Sequence, residues 1–163
     1  EVLVSPVPNS IILCGFIVGG MVRGLLVGAI VTGMALFFVD LQIQHPLITI
    51  TVILLTATVF SLAGFINALF ANSFDDISII PTFVLTPLIY LGGVFYSSAL
   101  LPPFWQSVSA LNPIFYMVNT FRFGFLGVSD VPIGAAFFIL ILFSVVLFGS
   151  CLWLLNRGTG LRS

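Results

Sequence analysis

Residues 101–127 read LPPFWQSVSALNPIFYMVNTFRFGFLG. The stretch is long enough to cross a membrane and carries seven aromatic rings in 27 residues. It is interrupted by Pro102, Pro103, Asn112, Pro113, Asn119 and Arg122. A plain spanning helix does not carry that many breakers and polar groups, and a soluble loop does not carry that many rings. The reading that accommodates both is a re-entrant or interfacial helical hairpin, which enters the membrane and returns. Such backbone is tolerated at membrane depth only where protein or a water-filled path covers it.

The rest of the chain sets the class. It is 60% hydrophobic and 6% charged, with a mean hydropathy of +1.31, whereas soluble domains are about 25% charged. A chain of this kind is expected in a lipid bilayer. Lysine is absent, and the cations are Arg23, Arg122, Arg157 and Arg162. With a net charge of -1 and no basic patch, nucleic-acid binding has no electrostatic footing. Cys14 and Cys151 lie inside apolar runs and read as small lipid- or core-facing residues, not as a disulfide framework. His45 and the scattered acids lack metal-ligand spacing. No glycine-rich phosphate loop occurs, so the chain is expected to bind neither nucleotide nor metal and to carry no catalytic residues.

A spanning helix needs about 20 mostly apolar residues, and four stretches qualify. The first runs from about residue 11 to 39, with Asn9 or Ser10 as candidate caps. Its Gly15, Gly19, Gly20, Gly24 and Gly28 give overlapping GxxxG spacings, which let another helix approach closely. The second runs from about 47 to 71 behind Pro46, which suits a helix start. Its threonines and Ser61 can bond back to their own carbonyls. The third runs from about 77 to 97; Pro87 inside it is expected to kink it, and Gly92 and Gly93 to soften it. The fourth runs from about 132 to 155. The predicted fold is therefore all-α: a polytopic bundle of four spans plus an external hairpin at about 101–127. Four crossings put both ends on one side, and Arg157 and Arg162 place the C-terminus in the cytoplasm by the positive-inside rule. The opening EVLVSPVPNS, without an initial Met, is expected to continue from preceding sequence.

Three charged features need an account. Arg23 lies well inside the first span, where a charge costs roughly 2.5–3.5 kcal/mol on insertion scales. It is either a polar contact in the bundle interior or along a path, or an interfacial arginine of a helix that starts late. Asp75 and Asp76 are adjacent and point about 100° apart on a helix, so they read as a helix cap, with Ser73 or Asp75 as cap residue. Arg122 is either a structural pin, with Asp130 as possible partner, or a contact for a polar or anionic ligand.

The order of these pieces is distinctive: an entry of type E-x-L-x-S-P-V-P, two spans, LTPLIYLGGVFYSSALLPPFWQ, then LNPIFYMVNTFRFGFLG, a last span and an arginine tail. This resembles the membrane permease of type-2 ABC exporters over essentially the whole chain. The resemblance implies a six-helix permease fold of which these four spans are the third to sixth, so the fold here is partial. It implies that Glu1, Val2, Leu3 and Ser5 belong to the end of a cytoplasmic loop that couples to an ATPase subunit. It also implies a second permease copy, homodimeric by expectation, and ATP and Mg on the partner subunit alone. The location it implies is the bacterial inner membrane. Pro102, Pro103, Asn112, Pro113, Tyr116 and Arg122 would form an external gate. Competing readings are an ion channel, a polytopic membrane enzyme and a non-transporting scaffold. Channel filters favour carbonyl-lining glycines or charged rings, and residues 101–127 offer bulky aromatics instead. A membrane enzyme would need a cluster of His, Asp, Glu or Cys that the sequence lacks.

Overall fold

The computed structural model describes residues 8–40, 42–71, 73–97 and 100–157. The expected coupling residues Glu1, Val2, Leu3 and Ser5, and Arg162 in the tail, lie outside them. Among the described residues the helices are α1 (Asn9–Ala35), α2 (Pro46–Phe70), α3 (Phe74–Ile79), a π-helical stretch (Ile80–Leu85), α4 (Thr86–Leu91), α5 (Pro103–Ala110), α6 (Pro113–Leu126) and α7 (Ile133–Asn156). The chain is all-helical there, as its composition requires. Helices α1, α2 and α7 are long and apolar enough to cross a membrane. At 1.5 Å per residue each is about 36–40 Å long, against a hydrocarbon core of about 30 Å. Only 17–22% of the most apolar stretch of each is buried inside the chain. So much exposed apolar surface suits lipid or further protein, not water.

Helix α2 is central and packs on α1, α6 and α7. One core cluster joins Leu13 and Ile17 of α1, Leu62 of α2, and Cys151 and Leu155 of α7. The other joins Val52 and Val59 of α2, Ile114 and Met117 of α6, and Leu140 of α7. Low numbers of α2 thus meet low numbers of α7, and high meet high, so these two helices run parallel. The N-terminal end of α1 meets the C-terminal end of α7, where Asn9 Nδ2 donates to Asn156 Oδ1 at 2.8 Å. Helix α1 is therefore antiparallel to both.

Several expectations need correction. Neither Asn9 nor Ser10 caps α1: Pro8 is its N-cap, its carbonyl accepting from Ile11 and Ile12, and the Asn9 side chain goes to Asn156 instead. Helix α1 stops at Ala35, four residues short of the expected end, and the chain turns through 36–39. The kinked span expected at 77–97 is composite and shifted: helical from Phe74 to Leu91, with a π-helical middle. Pro81 and Pro87 supply the reason. Each lacks an N–H, and each ring would collide with the carbonyl four residues back in a regular α-helix. The wider turn removes that conflict, and the Thr86 N–H donates to the Pro81 carbonyl five residues back. Gly92 and Gly93 lie after the helix rather than within it: Gly92 is its C-cap, and Gly93 has φ +73°. The turn before α3 behaves as read, with Ser73 as N-cap. Its hydroxyl accepts from the Asp76 N–H, and the Asp76 carboxylate accepts from the Ser73 N–H, a reciprocal capping box.

Candidate functional site

The segment that opened the reading folds as a helix pair, α5 and α6, with Leu111 and Asn112 between them. Pro103 takes the first position of α5 and Pro113 that of α6, where a missing N–H costs nothing. Asn112 is almost fully buried and makes two bonds. Its Oδ1 accepts from the Ile114 N–H at 3.0 Å and caps α6. Its Nδ2 donates to the Leu88 carbonyl of α4 at 2.6 Å. That carbonyl needs a donor because the Gly92 N–H turns to Ile89 at 3.1 Å instead. The Tyr116 hydroxyl donates to the Ala110 carbonyl at 2.7 Å and closes the pair on itself.

Helix α6 is not peripheral. Ile114, Phe115, Met117, Asn119, Thr120 and Gly124 are buried, and the helix lies against α2, α4 and α7. Asn119 is fully buried; its Oδ1 accepts from the Asp130 N–H at 3.0 Å and its Nδ2 donates to Phe115 at 2.9 Å. Arg122 Nη2 donates to the Gly93 carbonyl at 2.5 Å and reaches the Tyr96 carbonyl at 3.5 Å. Its Nη1 stands 3.6 Å from Asp130 Oδ2. Asp130 Oδ1 accepts from the Ser97 hydroxyl at 2.8 Å. Arg122 and Asp130 thus join the exit of α4, helix α6 and the loop into α7. Gly92 and Gly93 sit against the same helix: a Cβ on Gly92 would come within 2.8 Å of Ile114 Cγ2.

Of the expected gate residues, Asn112 and Arg122 reach the end of α4 and the chain just past it, Pro113 and Tyr116 stand at the start of α6, and Pro102 and Pro103 at the start of α5. The helix-packing glycines divide. Gly20 faces Ser61 of α2, where a Cβ would meet Oγ at 2.5 Å, while Gly15, Gly19, Gly24 and Gly28 face open space within the chain. Pro87 sits at the start of α4, directly before Leu88 and its Asn112 contact.

Several contributors had no signal beyond residue type. Asn67 near the end of α2 donates to the Ile77 carbonyl at 2.9 Å. His45 stacks flat on Phe123, with centroids 4.7 Å apart, and its N–H donates to the Gly124 carbonyl at 2.9 Å. Gly124 lies directly against Thr49 of α2. Gly127, the left-handed C-cap of α6, could have been foreseen from the glycine after an apolar helical run.

Beside this assembly lies an apolar hollow of about 520 Å³ lined by Thr56, Phe60, Ile89, Met117, Phe121 and Arg122 among others. Thr56, Phe60 and Phe121 also border a larger groove of about 1860 Å³ between α1 and α2. Among the described residues no three His, Cys, Asp or Glu side chains come together as a metal site.

Residues 1–126 match the ABC-2 type transporter family. The chain is 55% identical over all 163 residues to proteins named inner membrane transport permease YadH from Escherichia coli and Shigella flexneri. It spans 64% of the length of those relatives. No solved structure matches it. The order of spans and breaks, the helix pair and the family match agree: the chain belongs to the ABC-2 type transporter family.

Proposed function

We propose that this chain forms part of the permease subunit of an ATP-driven exporter in the bacterial inner membrane. It contributes to the translocation path and couples to a separate ATPase subunit. The relatives' name, inner membrane transport permease, supports the transport reading and the location. In this reading the chain crosses the membrane four times. The parallel run of α2 and α7 supports the fourth crossing: between the end of α2 and the start of α7 the chain must return to the opposite end of the bundle. The composite segment Phe74–Leu91 is the helical run available for that return, about 27 Å long at α-helical rise. Helices α5 and α6 then lie at the outer side as the re-entrant pair, and Arg157 marks the cytoplasmic end of α7. ATP and Mg belong to the ATPase, Glu1, Val2, Leu3 and Ser5 to the coupling loop, and a second permease copy completes the path.

The observation that carries this reading is how the composite segment is held. No residue of the π-helical stretch or of α4 is buried. Its Leu85 and Leu88 pack, half-buried, against the core formed by α2, α6 and α7, and its carbonyls are held by Asn67 and Asn112, with Arg122 fastening the chain just past its end. An element held by two half-buried leucines and a few polar contacts can shift as a unit between discrete arrangements, as alternating access requires. The apolar hollow beside it, edged by Arg122 and Thr56, suits an amphipathic cargo. The test is ATPase stimulation in the reconstituted full-length permease–ATPase complex across lipids, glycolipids and drugs. Some member is expected to stimulate turnover, and Asn112→Ala is expected to reduce its export. Absence of stimulation by any of them, or unchanged export by the variant, overturns the reading.

A further inference from the structure

The larger groove runs along α1 from Ile11 to Leu36 and is walled on the other side by α2. Its length, about 37 Å at helical rise, matches a whole membrane crossing. Its floor is made by glycines: Gly15, Gly19, Gly24 and Gly28 have nothing within 4 Å of where a Cβ would stand. A floor without side chains lets another backbone come close, which a helix exploits and a lipid tail does not need.

Arg23 lies in this groove. It is fourteen residues from Asn9 and twelve from Ala35, about 21 and 18 Å along the axis, near the middle of the helix. Among the described residues it has no hydrogen-bond or ion-pair partner. An unpaired arginine at mid-membrane is costly, and such residues face the bundle interior and pair.

The described helices cannot supply the partner. Helices α1, α2, α4, α5, α6 and α7 contain no Asp or Glu, and the acids of α3, Asp75 and Asp76, stand in its first turn. A second copy docked on this strip by a two-fold axis would bring Arg23 against Arg23. The relatives, however, have 36% of their length beyond what this chain covers (100% less 64%). That is about 90 residues, enough for more than one crossing of about 20.

We propose that the groove between α1 and α2 seats a further spanning helix of the full-length polypeptide. This helix lies outside residues 1–163 and carries a carboxylate that pairs with Arg23. The inference uses the membrane-spanning character of α1 but not the transport activity, so a failed ATPase assay leaves it standing.

The test is photo-crosslinking of the full-length protein in native membranes, with a short diazirine side chain in place of Val27 and, separately, of Phe16. Both line the groove and both are more than half exposed in this chain; Val27 disturbs little packing, while Phe16 gives up a tilted ring contact with Phe65 at 5.3 Å. The expected adduct is intramolecular, to a peptide outside residues 1–163 with an Asp or Glu within two helical turns of the attachment point. Conversion of that acid to its amide and Arg23→Gln are then expected to lower the yield of folded protein similarly, and together no further than either alone. A lipid adduct, an adduct to a second copy or to another protein, or a peptide with no carboxylate overturns the proposal. Additive losses in the double variant overturn the ion pair.

Discussion

Asn112 makes the sharpest test of how the helix pair is fastened, because its two bonds can be removed separately. Asn112→Ala removes both. Loss of the cap on α6 costs about 1 kcal/mol. Loss of the donor to Leu88 leaves a carbonyl unsatisfied in apolar surroundings, which costs about 1–3 kcal/mol. Side-chain hydrogen bonds inside membranes average only about 0.6 kcal/mol by double-mutant cycles, so the lower end is the better guide. The expected total is about 2 kcal/mol. Asn112→Ser separates the parts: its hydroxyl can still accept from the Ile114 N–H but is too short to reach Leu88. It is expected to cost about 1 kcal/mol, the Leu88 share alone. The assay is reversible unfolding of the full-length protein in mixed micelles of rising SDS fraction. If Asn112→Ser behaves as wild type while Asn112→Ala loses about 1 kcal/mol, only the cap matters and the contact to α4 holds nothing. If both variants match wild type, the account of the turn fails.

Other perturbations follow from the same geometry. Arg122 and Asp130 are each 21% exposed at 3.6 Å, so a double-mutant cycle with Arg122→Gln and Asp130→Asn should give a coupling of only about 0.2–1 kcal/mol. Arg122→Gln alone should cost more than Asp130→Asn in the same unfolding assay, because the Gly93 and Tyr96 carbonyls also lose their donor; equal losses would refute this. Gly124→Ala puts a methyl group on Thr49, including its backbone Cα at 3.3 Å, and should cost about 1–3 kcal/mol through overpacking. Gly134→Ala, with open space around it, is the control expected to be neutral within about 0.5 kcal/mol. Pro87→Ala returns an N–H to α4 and lets the π-helical turn relax toward α-geometry. Stability should hold or rise while ATP-driven export falls, and unchanged export would count against a role for the break.

The long helices were legible because lipid imposes one simple rule on them, an apolar run of sufficient length. The helix pair was legible for a different reason: Pro102, Pro103, Asn112 and Pro113 act locally, through missing N–H groups and a cap, and local chemistry survives without tertiary context. Residues 77–97 were misread in length because hydropathy continues through Val94, Phe95 and Tyr96 after the helix has ended. Gly92 and Gly93 carried the stop signal there, but within an apolar run they read as soft points. His45, Asn67 and Gly124 could not be foreseen at all. Each matters through contacts with residues on another element, and neither periodicity nor composition encodes a contact.

The misreading and the unforeseen contacts have a common cause in the backbone carbonyls of the third segment. Pro81 cannot donate to the Ile77 carbonyl, and Asn67 does so from α2. The turn at Gly92 withdraws its N–H from Leu88, and Asn112 replaces it. Beyond the helix end the Gly93 and Tyr96 carbonyls have no helical donor, and Arg122 serves both. The breaks at Pro81 and Gly92 and the chain past the helix end thus create acceptors, which Asn67 of α2, the α6 cap Asn112 and Arg122 of α6 answer. In an apolar environment an unanswered carbonyl costs about 1–3 kcal/mol, so these three donors offset part of what the prolines and glycines cost the segment. The dependence also runs the other way. A regular helix would offer Asn67, Asn112 and Arg122 no carbonyls, leaving Asn112 only its cap on α6 and Arg122 only its contact with Asp130. The broken segment and the polar residues beside it therefore depend on one another, and any displacement of the segment has to break these bonds.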